Sequence, residues 1–279
     1  MPYACDLHTH SIYSDGTCTP QEIVELAVAR GLSAVALTDH NTVSGLPSFL
    51  KAAEGKKVEA VAGIEISAVH GKSEVHILGL FLPQEGWAAL QESMVEVNRR
   101  KDESNRRLVE ALRQNGYPLD YDALTAQTPD HHINRGHIGA ALVALGLFPS
   151  IRDALNTVLS EKNGFYQPPE RLSALDTIRL IRRAGGVPVM AHPFLNMTEG
   201  ELRSFLPPAR EAGLAGMETV YSLYDDETAR CAGNLAREMG LKESGGSDFH
   251  GAIKPDIALG SGKGNLFIPY AFCQALKRC

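Results

Sequence analysis

The sequence predicts an α/β protein: a barrel of about seven β/α units, interrupted by a helical insertion. Three observations carry this expectation. Short apolar runs alternate with helical stretches, which implies parallel strands joined by helical crossovers. The alternation stops at Trp87, gives way to helical signals as far as Leu159, and resumes after Pro168-Pro169. His, Asp or Glu stands where one apolar run after another stops, and parallel barrels build their sites at the C-terminal ends of their strands.

The elements follow in order. Tyr3–His8 reads as a strand. Thr19 caps a helix over Pro20–Arg30: Pro20 suits the first turn, Glu22 completes a capping box and Gly31 stops it. Ala34–Leu37 is a strand, Leu46–Glu54 a helix, and Val58–Ala62 and Val75–Phe81 are strands. In the insertion, Glu92–Asn115 is one long helix ended by Gly116-Tyr117-Pro118. Shorter helices follow at Asp120–Ala126, His137–Leu145 and Ile151–Ser160. Helix Ala174–Ala184, strand Val187–Ala191, helix Glu199–Ala212, strand Ala215–Val220, helix Asp225–Met239 and strand Lys242–Gly246 complete the series. The expected organisation is a barrel from residues 1–87 and 171–279, with 88–170 as a helical lid over the C-terminal face of the strands.

Bulk properties narrow the classes. A chain of 279 residues has room for a large buried core. Its net charge of −6 argues against a duplex nucleic-acid partner. Five cysteines without CxxC spacing argue against a disulfide framework or a thiolate zinc site. No stretch suits a membrane span or a signal peptide, so a cytoplasmic protein is expected, without membrane or obligate protein partner.

The polar residues at the strand ends carry the chemistry. His8 and His10 close the first strand. His40 follows the second, Glu65 the third, His192 a later one, and Asp248 and His250 the last; His76 lies early in its own strand. Any of these alone reads as a turn, a cap or a satisfied histidine. Together, at successive strand ends, they read as metal ligands. His-x-His puts two rings on one side of an extended strand, and Asp-x-His repeats the device. Imidazole and carboxylate donors suit Zn, Mn or Fe. A cluster of this kind can hold two or three divalent ions, and two-metal sites suit phosphoryl chemistry.

The motifs D6-L7-H8-T9-H10 through D15-G16, A36-L37-T38-D39-H40, G63-I64-E65, V75-H76, A191-H192-P193 and G246-S247-D248-F249-H250 together resemble the polymerase-and-histidinol-phosphatase (PHP) domain of metal-dependent phosphoesterases. The resemblance implies a distorted (β/α)7 TIM-like barrel. It implies His8, His10, Glu65 and Asp248 around one metal; Glu65, His76 and His192 around a second; and Asp15, His40 and His250 around a third. Asp15 stands where histidinol-phosphatase members carry His. The chain is similar to the subgroup with a helical insertion, whose members are 3′,5′-nucleotide bisphosphate phosphatases, 5′-to-3′ exoribonucleases and a cyclic phosphate dihydrolase. In that subgroup an Arg and a His of the insertion meet the substrate phosphate. Here they match Arg135 and His137, with Gly136 in place of the usual Pro.

The expected reaction is hydrolysis of a phosphate ester of a small nucleotide-type substrate, a 3′,5′-bisphosphate nucleotide or a short 5′-phosphorylated RNA. A metal-bridged hydroxide would attack phosphorus in line. Arg135 and the metals would hold non-reacting oxygens, and the leaving group would be stabilised by the third metal or protonated by a nearby group, with His192 and His137 as candidates. The rivals are histidinol phosphate or cyclic phosphate hydrolysis, a C–N or C–O hydrolase on a similar barrel, and a non-catalytic metal-binding module. His131 and His132 are expected in a solvated loop, the basic residues of Glu92–Arg113 on a solvated helix face, and His70 at the surface. Lys254 and G260-S261-G262-K263-G264 are candidates to approach phosphate; the glycine run lacks a P-loop context and reads as a flexible loop.

Overall fold

The computed structural model describes residues 4–279, Asn163 by its backbone only. Strand β1 (Cys5–Asp6) pairs in parallel with β2 (Ala34–Leu37), and β2 with β3 (Glu59–Ala62). The expected strand Tyr3–His8 shortens to these two residues; Tyr3 lies outside the described residues. Helices α1 (Pro20–Ala29) and α2 (Leu46–Ala53) make the crossovers. Thr19 and Glu22 close the capping box on α1 as expected.

The next segment departs from simple alternation. β4 (Ile64–His70) and β5 (Ser73–Leu80) form an antiparallel hairpin, from Ile64 opposite Gly79 to His70 opposite Ser73. Gly71, with φ +59°, opens its two-residue turn, a position that favours glycine in hairpins. The sequence reading ended the strand signal at Glu65 and missed β4. The apolar residues Ile64, Ile66 and Ala68 alternate and are buried, while polar Ser67 and His70 interrupt the run. β5 also runs antiparallel to β7 (Val187–Ala191). β8 (Gly216–Tyr221) and β9 (Lys242–Gly246) continue in parallel from β7, and the short β6 (Leu172–Ser173) lies beside β4.

The result is a mixed α/β architecture with a three-stranded and a six-stranded sheet. The expected closed barrel of parallel strands is not formed by these ladders. The hairpin turns one strand against its neighbours, and single bridges, His40–Glu65 and Thr9–Phe249, stand between the two sheets.

Helix α3 (Gln84–Gln114) begins eight residues before the expected Glu92, behind Pro83, and Trp87 Nε1 donates to Leu82 O across its first turn. α4 (Tyr121–Thr125), α5 (Arg135–Ala144) and α6 (Ile151–Asn156) follow. Leu108, Leu112, Tyr121, Ile138, Leu142 and Tyr166 belong to a core cluster distinct from those around the sheets. α7 (Ala174–Arg183), α8 (Glu199–Glu211) and α9 (Asp226–Glu238) pack on the larger sheet's side of the chain, and α10 (Tyr270–Leu276), which the sequence reading missed, ends it. Among the described residues no helix is long and apolar enough to cross a membrane.

Candidate metal centre

His8 and His10 project to one side of the segment after β1, and both are fully buried. Their Nε2 atoms are 3.1 Å apart, and each is 3.3 Å from Glu65 Oε2. Asp248 Oδ1 is 3.4 Å from His10 Nε2 and 3.7 Å from His8 Nε2. Glu65 continues the cluster: Oε2 is 3.0 Å from His40 Nδ1, and Oε1 is 2.8 Å from His76 Nδ1 and 3.2 Å from His192 Nε2. Asp15 Oδ1 lies 3.2 Å from His250 Nε2 and 3.7 Å from His40 Nε2. The structure therefore brings every expected ligand residue into one cluster. His192 and Asp248 sit there with positive φ, 27° and 57°, conformations that cost a non-glycine residue energy and recur at functional sites.

The donor set fits divalent cations. His8, His10 and Glu65 converge within 4.8 Å, as do His10, Asp15, His40 and His250, and as do His40, Glu65 and His76. Three buried atoms of these groups, Asp15 Oδ1, His40 Nδ1 and Glu65 Oε2, have no hydrogen-bond partner. A buried unpaired carboxylate oxygen costs several kcal/mol unless a cation answers it. The facing Nε2 atoms of His8 and His10 make the same demand, because two imidazolium N–H groups cannot point at each other across 3.1 Å. One proton, or one cation, must lie between them.

Charge is distributed accordingly. Burial opposes ionisation of Glu65, yet His40, His8 and His76 hold its carboxyl well below the usual range. Burial likewise opposes Asp15 and Asp248, which His250 and Lys254 respectively pull well below theirs. His10, buried against its charge, is raised to about 9 by Asp248 and Glu65, and His76 to about 10 by Glu65 and Glu74. Burial lowers His40 and His250.

A second layer orients the ligands. Glu218 Oε1 takes the Nδ1 proton of His8 at 3.1 Å, which turns the Nε2 lone pair toward Glu65. Its Oε2 accepts from His192 N at 2.6 Å. Gly246 leaves room for this contact: a Cβ there would stand 2.2 Å from His8 Cβ and 3.0 Å from Glu218 Oε1. His250 Nδ1 donates to Asp248 O at 2.8 Å. Asp248 Oδ2 accepts from Tyr221 OH at 2.8 Å and Lys254 Nζ at 2.6 Å. Asp6 accepts from Ser247 N and from Gly260 N, so the glycine run serves a structural carboxylate. Asp39 accepts from Ser11 N and Ser14 Oγ, fixing the D-G loop that carries Asp15. Glu218 and Tyr221 were missed from sequence; a lone acid inside the apolar G-M-E-T-V-Y strand was the available signal. Glu218→Leu is expected to weaken metal affinity about 10- to 100-fold, with Glu218→Gln retaining most of it. Competition against a chromogenic chelator measures this, and unchanged affinity in Glu218→Leu would remove the orienting role.

A cavity of about 1160 Å³ opens over the cluster, with Asp15, Glu65 and His76 at its base and Lys101, Arg135 and Arg171 in its wall. Arg135 leads α5, its Cζ 4.3 Å over the Tyr166 ring and Nη2 3.5 Å from Glu74 Oε2. His137 Nδ1 lies 3.2 Å from Asn134 N and 3.1 Å from Asn134 Oδ1 in a capping box at the head of α5. Burial keeps it neutral, and it feels the charges of Asp15, Lys101 and His250. His131, His132 and the expected substrate contact His137 are not among the cavity-lining residues; His132 Nδ1 is 2.7 Å from Asp102 Oδ2. Arg99 and Arg100 pair with Glu96 on the exposed face of α3, as expected of a solvated face, but Lys101 turns into the cavity wall instead.

Residues 6–166 match the family model of the PHP domain. A 5′-3′ exoribonuclease of Haemophilus influenzae is 31% identical over 88% of this chain and 89% of its own length. A phosphoribosyl 1,2-cyclic phosphate 1,2-diphosphodiesterase of Eggerthella lenta is 33% identical over 88% and 94%. A 3′,5′-nucleoside bisphosphate phosphatase of Chromobacterium violaceum is 30% identical over 88% and 86%. A crystal structure from Bifidobacterium adolescentis, described as a metal-dependent phosphoesterase, superposes with a TM-score of 0.86 and 29% identity, over 99% of this chain and 96% of that one.

Proposed function

This chain belongs to the PHP domain family, and from that premise we propose that it hydrolyses a phosphate ester of a 3′,5′-bisphosphate nucleotide or a short 5′-phosphorylated RNA. It is a metal-dependent phosphoesterase. The observation that carries the reading is the convergence of buried histidine and carboxylate donor atoms around Glu65 and Asp15, within 4.8 Å of one another, beneath an open cavity. Two or three ions (Mn, Fe or Zn) would be held by His8, His10, Asp15, His40, Glu65, His76, His192, Asp248 and His250, with Glu65 shared. Such ions supply Lewis acidity to phosphate oxygens and activate water at neutral pH.

The chain's own groups do the rest. Arg135 presents a planar fork to phosphate oxygens, braced by the Tyr166 ring. His137, two residues beyond Arg135 on α5, is the candidate acid for the leaving oxygen, a role that requires its imidazolium form against the burial that lowers its pKa. His192 is drawn to Glu65 at 3.2 Å and serves better as a ligand than as the acid. Residues 88–170 act as a lid whose separate core lets it hold Arg135 and His137 over the cluster. The two sheets are arcs of one distorted barrel, a reading supported by Leu7 N donating to Gly245 O across one seam.

The test is phosphate release from adenosine 3′,5′-bisphosphate, a short 5′-phosphorylated RNA, histidinol phosphate and a ribosyl 1,2-cyclic phosphate, with Mn²⁺ and with chelator. Metal-dependent turnover of either of the first two is expected to dominate. Preference for the cyclic phosphate would replace the substrate assignment with the diphosphodiesterase reading, which the Eggerthella relative favours.

A further inference from the structure

The cavity wall away from the metal ligands carries a surplus of positive charge. Glu74, on β5, faces two guanidinium groups: Arg171 Nη2 lies 2.9 Å from its Oε2 and Arg135 Nη2 3.5 Å from the same atom. Its Oε1 is 3.4 Å from His76 Nε2. Arg171, only 11% exposed, also donates to Tyr166 OH at 3.2 Å. Lys101 comes from α3 into the same wall, and among the described residues its ammonium has no hydrogen bond or ion pair. Burial lowers its pKa, against the charges of Asp15, Asp102 and Glu74. Glu170 is engaged by Arg100 at 2.8 Å; Asp102 meets His132 through Oδ2, while its Oδ1 has no hydrogen-bond partner. Two carboxylates, Glu74 and Asp102, therefore face two guanidiniums and an ammonium, which leaves one positive charge in excess.

A half-buried cation without a partner is costly, and an enclosed surplus of cations is relieved by an anion. Arg171 supplies a fixed donor, and Lys101 a mobile point charge that can reach the same group. The metal cluster already provides for one phosphate. The geometry points to Lys101 and Arg171 as a second anion subsite, which holds the phosphate that is not hydrolysed and selects substrates bearing two phosphoryl groups. This rests on the phosphoesterase reading above for the identity of the first phosphate. Glu74 acts as a positioning residue, since it ties Arg171 to β5 one residue away from Val75 and two from His76.

Two measurements on metal-loaded protein test it. The first is kcat/KM for adenosine 3′,5′-bisphosphate against adenosine 3′-monophosphate. The second is calorimetric binding of the matching bisphosphonate and monophosphonate analogues, whose P–C bonds resist hydrolysis. Lys101→Met is expected to weaken the two-phosphate ligand about 10- to 100-fold, through KM, and the one-phosphate ligand by at least tenfold less. Lys101→Arg should restore part of the preference, and Arg171→Lys, which keeps the ion pair with Glu74, should lose less than Arg171→Met. Equal losses on both ligands, or none, would overturn the subsite. If binding discriminates in this way but the bisphosphate is not turned over, the substrate reading fails and the subsite stands. Turnover with undiminished preference in Lys101→Met and Arg171→Met is the converse.

Discussion

Glu65→Gln is expected to lower metal-dependent phosphate release about 10²- to 10³-fold, with most of the loss in kcat. Among the described residues, Glu65 is the one side chain within 3.3 Å of nitrogens from His8, His10, His40, His76 and His192. Glutamine keeps the volume but removes the charge and puts an NH2 group where a donor nitrogen or a cation must face an acceptor. Removing one member of a buried charge cluster costs about 3–5 kcal/mol because its partners stay buried and unanswered. The loss should appear as metal lost per chain, read by elemental analysis, alongside the rate. Near-normal rates with a full metal complement in Glu65→Gln would sink the assignment of Glu65 as the shared ligand. Alanine is a poorer test, since it would also leave a void beneath the cluster.

Metal removal should make stability depend on alkaline pH. In the metal-free chain His10 and His76 are raised to about 9 and about 10, above the ordinary value of 6.5. A raised folded value contributes stability that is fully present below the unfolded value and is lost as pH rises through the folded one. The metal-free Tm should therefore fall between about pH 7 and pH 10. The depressed carboxyls of Asp15, Glu65 and Asp248 act at the other end. Their contribution is present above ordinary carboxyl values and is lost as pH falls through their lowered ones. A bound cation replaces the histidine protons, so the loaded protein should lack the alkaline decline. Loading Mn²⁺ at pH 7 in weak buffer should release protons, and apparent affinity should rise with pH. Uptake of protons on loading, or an unchanged alkaline decline in the loaded protein, would show that these histidines do not bind the ion.

Much of this was legible because the proposed metal ligands sit at chain-local signals. H-x-H, T-D-H, H-P and D-F-H each mark the end of a strand, and strand ends are set by short-range apolar patterning. The capping box at Thr19 and Glu22 and the strands Ala34–Leu37 and Val187–Ala191 were readable for the same reason. The β4–β5 hairpin was not: Ile64, Ile66 and Ala68 do alternate with Glu65 and Ser67, but three apolar residues are a short signal. Nor was the direction of β5, which depends on its partners.

By itself, the sequence determined which donors the protein owns and that they fall at the ends of strands. Only the tertiary structure decided which of them meet, because Glu65 and His192 lie far apart in the chain and 3.2 Å apart in space. It also decided that Glu218, within a buried strand, orients His8, and that Lys101 leaves the ion-paired face of its helix for the cavity wall. A donor's type is written in one residue. Its convergence with others depends on long-range packing, and a lysine's side of a helix matters only once a second element stands beside it.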